Sequence, residues 1–164
     1  MTEERNHIAE IAKGVLETLL SRMGITASVV SHTPPFIVGE EGDTVPIAFD
    51  IKGEDLGILI GRHGQTLSSL QYIVRLITTH QAKFSAPIII DVEGYKQRRY
   101  ESLRALAWRV AEQVKVRRVP FRLEPMPAYE RRIIHLALAD HPDVVTESIG
   151  DGMVRKVVIS LKEP

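Results

Sequence analysis

Two short clusters in this 164-residue chain combine residue types and spacings that can do chemistry. The first is Gly61-Arg62-His63-Gly64, with Ile60 before it and Gln65 and Thr66 after it. Two glycines three apart let a backbone turn sharply and leave its amides uncovered by side chains. Set against the N-terminus of a helix, such amides favour an anion, because unpaired N–H groups and the helix dipole act together. Arg62 adds a charge to that site and His63 a hydrogen bond. A bare Gly-x-x-Gly recurs by chance in many loops, so its meaning rests on the elements around it. The second cluster is Arg131 and His135, four apart and therefore on one face of any helix that carries them. Arg132 stands beside it, and Lys156 is a weaker candidate.

Other chemistries find little support. With no cysteine in the chain, disulfides, thiolate catalysis and Cys-based zinc sites are excluded. The six histidines show no metal-ligand spacing, and no His-Glu-x-x-His occurs. Neither a Gly-x-x-x-x-Gly-Lys phosphate loop, a dinucleotide glycine motif nor Gly-x-Ser-x-Gly is present. Which Asp and Glu residues meet in space cannot be read from the sequence, so a carboxylate pair stays open. Arg131 and His135 can be drawn as a phosphodiesterase pair, with the histidine as general acid or base. No second acid–base group or metal ligand is signalled, so binding is the stronger reading and neither catalysis nor a cofactor is expected.

The elements that must position these residues follow from periodicity. Ile8, Ile11, Ala12, Val15, Leu16, Leu19 and Leu20 recur at three- and four-residue steps, a helix ending near Gly24. Residues 27–30 read as a short strand, and residues 31–44, with Pro34, Pro35, Gly39 and Gly42, as a loop. Residues 45–52 alternate as a half-buried strand does. Gly53-Glu54-Asp55 turns into a short helix before the glycine loop, and a second helix opens at Gln65 or Thr66 with the stripe Leu67, Leu70, Ile73, Val74, Ile77. Residues 87–92 are a β-branched strand. A long helix spans about 96–115, a strand is expected over 117–124, and a helix over about 128–139 stops before Pro142. Strands over 144–147 and 154–161 join through Gly150-Asp151-Gly152.

Charge is segregated along this order although the net charge is zero. Residues 95–132 hold eleven Lys/Arg against four Asp/Glu, a net +7, whereas residues 1–60 come to −6. Such asymmetry raises the prior for nucleic acid. Arg98, Arg99, Arg104 and Arg109 lie off the apolar stripe of the long helix, either as a solvated face partly paired with Glu101 and Glu112 or as direct contacts. No apolar run approaches the roughly 20 residues of a spanning helix. The polar start lacks the order of a signal peptide, so no membrane insertion and a cytoplasmic location are expected.

Helix, strand, strand, helix, glycine loop, helix, strand is the order of a type II KH domain, and the loop sits between two helices as that fold has it. Leu59-Ile60-Gly61-Arg62-His63-Gly64-Gln65-Thr66-Leu67, with Leu70-Gln71-Tyr72, resembles the KH segment of the bacterial Jag (KhpB/EloR-type) family. Pro127-x-Tyr129-Glu130-Arg131-Arg132-Ile133-Ile134-His135, then Thr146-Glu147-Ser148-x-Gly150, resembles the R-three-H domain. Together they cover nearly the whole chain and imply an α+β protein. Residues 1–94 would be a type II KH domain, and residues 95–164 a small α/β R-three-H domain with its leading helix.

The resemblance implies a single-stranded RNA binder in post-transcriptional regulation, with single-stranded DNA as the ligand to compare. The KH loop, from Ile60 to Thr66, would clamp a phosphate backbone. Ile60, Leu67, Ile47 or Phe49 would floor the base groove, and Arg131, Arg132 and His135 would give a second contact. With aromatics at only 5%, stacking is expected to be minor. The alternative is a protein–protein adaptor, since the resemblance also implies pairing with a small single-KH protein in cell-elongation or division control. Jag proteins usually begin with a further small domain and a linker. This sequence opens almost directly on the first KH helix, so no role of that domain is carried over.

Overall fold

The computed structural model describes residues 2–32, 46–83 and 85–162, which fall into two compact units, residues 1–95 and 96–164. In the first unit α1 (Thr2–Arg22) precedes β1 (Ser28–His32) and β2 (Ile47–Lys52). A four-residue helix α2 (Gly57–Ile60) and a 3-10 turn (Arg62–Gly64) lead into α3 (Gln65–Ala82) and then β3 (Ile88–Val92). The sheet order is β1-β2-β3, with β1 antiparallel and β3 parallel to β2. A parallel neighbour needs a crossover, and the α2–loop–α3 segment is that crossover. The glycine loop is thus part of the connection that closes the sheet.

Strand alternation sends Ile47, Phe49 and Ile51 from β2, and Ile88, Ile90 and Val92 from β3, to one side. They meet Ile8, Ala12, Leu16 and Leu20 of α1 and Leu67, Leu70 and Val74 of α3 in one core. Each such side chain contributes roughly 1.5–3 kcal/mol when fully buried. On α3, Gln71 places its Oε1 3.0 Å from the Ile90 amide, accepting a hydrogen bond on the edge strand. Ser31 and His32, expected in a loop, instead pair with Phe49 and Ala48. Val45 and the rest of the expected loop, residues 33–44, lie outside the described residues.

The second unit holds α4 (Tyr95–Arg117) from Lys96 onward, β4 (Phe121–Arg122), α5 (Ala128–Ala137), β5 (Val144–Ile149) and β6 (Lys156–Leu161). Its antiparallel sheet has the order β4-β6-β5. Leu103, Ala107, Val110 and Val114 of α4 pack with Ile134 and Leu138, with Val144, and with Val157 and Ile159 of β6. The strand expected over residues 117–124 shrinks to two residues. Arg117 still ends α4, Arg118 turns the chain at φ 57°, and Pro120 has no amide to donate. The last strand starts at Lys156 because Gly152–Val154 forms a 3-10 turn.

One polar contact inside this unit was not legible from spacing. Glu130 is wholly buried, and Arg99 of α4 holds both its carboxylate oxygens, Nε at 2.8 Å and Nη2 at 2.9 Å. A bidentate fork of this kind fixes both distance and angle between α4 and α5. Arg99→Ala strands a buried carboxylate and is expected to cost about 3–5 kcal/mol. Arg99→Leu with Glu130→Leu should recover most of that loss. Urea unfolding followed by Trp108, the only tryptophan and a residue of α4, measures both.

Candidate nucleic-acid interface

The glycine loop is built by backbone geometry. Helix α2 ends where the Gly61 amide donates to the Gly57 carbonyl at 3.1 Å. Gly61 then adopts φ 69°, ψ −174°, a region essentially reserved for glycine. A Cβ at Gly61 would collide with the Thr66 hydroxyl and stand 2.8 Å from the Thr66 Cβ, so space excludes a side chain as well. His63 (φ 52°) and Gly64 (φ 74°) continue in left-handed conformation, and α3 starts at Gln65. Gly64 is the N-cap and carries no side chain, so no side-chain hydrogen bond caps α3. The positive end of an 18-residue helix therefore opens with no acidic or hydroxyl group of its own in the capping position. Arg62, Gln65 and Thr66 are exposed beside it, Ile60 and His63 are half-buried, and Gly64 is buried.

The expected groove floor needs correction. Ile47, Phe49 and Leu67 are 4%, 0% and 1% exposed and belong to the core, where no base can reach them. Large apolar side chains that do face solvent in this unit include Ile58 in α2 and Tyr72, Ile73 and Leu76 along α3, with Val30 on β1 and Met23 after α1. Period-2 alternation located the core face of β2 but not the absence of a groove on that face.

In the second unit, α5 carries Arg131 and His135 one turn apart with Glu130 turned inward. Arg131 Nε donates to the Met126 carbonyl at 3.3 Å, and Arg132 is exposed. Both ring nitrogens of His135 are engaged, Nδ1 with Thr146 Oγ1 at 2.6 Å and Nε2 with Ser148 Oγ at 2.7 Å. Thr146 and Ser148 are two apart on β5, so they share a face and bracket the ring. Burial holds the His135 pKa below the ordinary imidazole range, and the charge of Arg131 lowers it further. Hydroxyls both donate and accept, so this bracket suits either neutral tautomer. Thr146 and Ser148 stand in the motif quoted for this domain, but spacing alone gave them no role.

Lys156 does not join this cluster. Val157 and Ile159 are buried against the helices, so Lys156 points from the opposite face of β6. Of the α4 arginines, Arg99 is committed to Glu130, and Arg104 lies 5.7 Å over the Tyr100 ring. Glu101 accepts from Gln97, and Glu112 stands 4.0 Å from His141. Among the described residues no three His, Asp or Glu side chains gather as a metal site, and no helix is long and apolar enough to cross a membrane.

Comparison with known proteins separates the same two units. Residues 13–90 match the KhpA/KhpB KH domain family and residues 101–161 match the R-three-H domain family. RNA-binding protein KhpB of Clostridium symbiosum is 48% identical over 113 residues, 69% of this chain and 51% of that protein. RNA-binding protein KhpB of Bacillus subtilis is 36% identical over 118 residues, 71% of this chain and 57% of that protein. The protein of the same name from Lactiplantibacillus plantarum is 35% identical over 107 residues, 65% and 33% of the two chains. The chain spans about half the length of the first two relatives.

The His135 environment makes a pH prediction. Its pKa is depressed on folding, so its contribution to stability is present above about pH 6.5 and is lost as pH falls through that value toward the folded pKa. The urea midpoint reported by Trp108 should drop between pH 7.5 and 5.5. His135→Gln should reduce that drop; an equal drop in the variant would assign the pH dependence to another group.

Proposed function

The chain belongs to the KhpB (Jag-type) family, in which a KH domain is joined to an R-three-H domain, and from that membership we propose that it binds single-stranded RNA through two surfaces. The observation that carries the reading is the uncapped start of α3 behind Gly61 and Gly64, with Arg62 beside it. Backbone amides and the helix dipole receive phosphate there, and Arg62 adds a charge-assisted contact. These contacts position a strand without reading its sequence, so modest sequence preference and strong salt dependence follow. Arg131, Arg132 and the bracketed His135 form the second surface. Two weak sites in one chain raise avidity through effective concentration when the strand spans both.

Binding fits His135 better than acid–base catalysis does, since both its nitrogens are held by hydroxyls. The preference for RNA over DNA comes from the relatives, which carry RNA-binding in their names. A role in post-transcriptional regulation and a cytoplasmic location go with that reading. A second reading, an adaptor that pairs with a small KH protein, is favoured by Tyr72 (57% exposed), Ile73 (43%) and Leu76 (57%) on α3. Three large apolar side chains on one stretch of helix mark a surface suited to a partner.

Fluorescence anisotropy with a labelled single-stranded RNA and the matched DNA, at two salt concentrations, separates the readings. Gly64→Asp puts a carboxylate at the helix start, at a buried left-handed position (φ 74°), and in protein shown by circular dichroism to be folded should weaken RNA binding at least tenfold. Arg131→Ala with His135→Ala should weaken it less. An adaptor would hold its partner in Gly64→Asp and lose it in Leu76→Asp. Folded wild-type protein that binds neither strand would overturn the RNA reading.

A further inference from the structure

The β5–β6 ladder places Thr146 opposite Ile159 and Ser148 opposite Val157, the rows that carry the His135 bracket. The next position on the same face belongs to Gly150 and Arg155. A Cβ built on Gly150 would lie 3.5 Å from the Arg155 Cα, and Arg155 is itself extended at φ −68°, ψ 131°. Arg155 therefore points to the side of Val157, toward α5, whereas Lys156 points away. One residue ties this position to the other arginine. The Met126 amide donates to the Arg155 carbonyl at 3.2 Å, while the Met126 carbonyl accepts from Arg131 Nε at 3.3 Å.

Arg155 Nε is buried and has no hydrogen-bond partner. A buried guanidinium N–H without an acceptor is costly, and native structures seldom leave one so. Among the described residues neither Arg131 nor Arg155 is in an ion pair, so two like charges at this end of the sheet share no counter-charge. A group with two anionic oxygens would offer each guanidinium an acceptor, with Arg131 Nε left on the Met126 carbonyl.

We propose that Arg155, together with Arg131, seats one phosphodiester of the bound single strand, with the Thr146–His135–Ser148 bracket holding α5 in register over that seat. This rests on the RNA reading given above. Arg155, and not Lys156, is then the basic residue of β6's approach that contacts the ligand.

The test is anisotropy of the full chain with a labelled uniform ribo-oligonucleotide across a salt series, on Arg155→Gln, Arg155→Lys and the control Arg22→Gln from the last turn of α1. Circular dichroism checks that each variant is folded. Arg155→Gln should weaken binding about fivefold to tenfold and lower the salt slope by roughly 0.7, the loss of one single-strand phosphate contact. Arg155→Lys keeps the charge but not the fork, and should keep the slope with about a threefold loss. Arg22→Gln should stay within about twofold. Wild-type affinity and slope in folded Arg155→Gln would overturn the seat while leaving RNA binding intact. Should the glutamine variant fail to fold, unchanged affinity in Arg155→Lys overturns the seat by itself. A wild-type protein that binds no RNA overturns both this inference and the reading beneath it.

Discussion

The first unit depends on the close approach of Gly61 to Thr66. Helix α2 must end and α3 must begin within four residues, and both must still deliver Leu59, Leu67 and Leu70 to the core. Only a residue without Cβ allows the chain to fold back so tightly, because the Thr66 side chain occupies the space a Cβ would need. The N-cap that follows is Gly64, which has no side chain to cap α3, although the Gln65 amide already donates to the Arg62 carbonyl. The turn that lets the parallel β2–β3 crossover close is also the place proposed to receive phosphate, so packing and the proposed ligand chemistry share one constraint.

In the second unit the corresponding constraint is ionic. Glu130 occupies a fully buried position on α5, an expensive place for a carboxylate, and the Arg99 fork offsets that cost only in one geometry. Once α5 is set against α4, His135 falls between Thr146 and Ser148, and Arg131 falls at the Met126 carbonyl. The two halves of this domain's Arg-x-x-x-His thus do different work. The histidine fastens helix to sheet; the arginine, whose Nε donates to the Met126 carbonyl, is the half proposed to take an anion.

How much of this was legible in the sequence varies with the physics involved. Helices α1, α3 and α4 and the strand β2 follow from periodicity, because each buries one face and the pattern records it, and β3 follows from its β-branched run. The glycine loop and the Arg131–His135 pair were legible as motifs. Arg99–Glu130 was not, since the two residues are 31 apart in sequence and the helix reads equally well as a solvated charged face. Ile47 and Phe49 fit a groove floor by pattern because an alternating strand shows which residues share a face, not whether that face is open. Lys156 is a weaker candidate by charge alone, and the alternation of Val157 and Ile159 puts it on the opposite face of β6. The short β4 was overextended because a run of Val, Pro and Phe scores as strand while Pro120 removes a ladder donor.

The central claim is that one single strand is held at two places, the start of α3 and the α5–β6 end of the second unit. An amide correlation NMR spectrum recorded during titration with a uniform ribo-oligonucleotide tests it residue by residue. The account predicts that the amides of residues 61–66 and those around Arg131, Ser148 and Arg155 shift together and saturate at the same RNA concentration. Shifts confined to the exposed stretch from Tyr72 to Leu76, with both clusters silent, would contradict it.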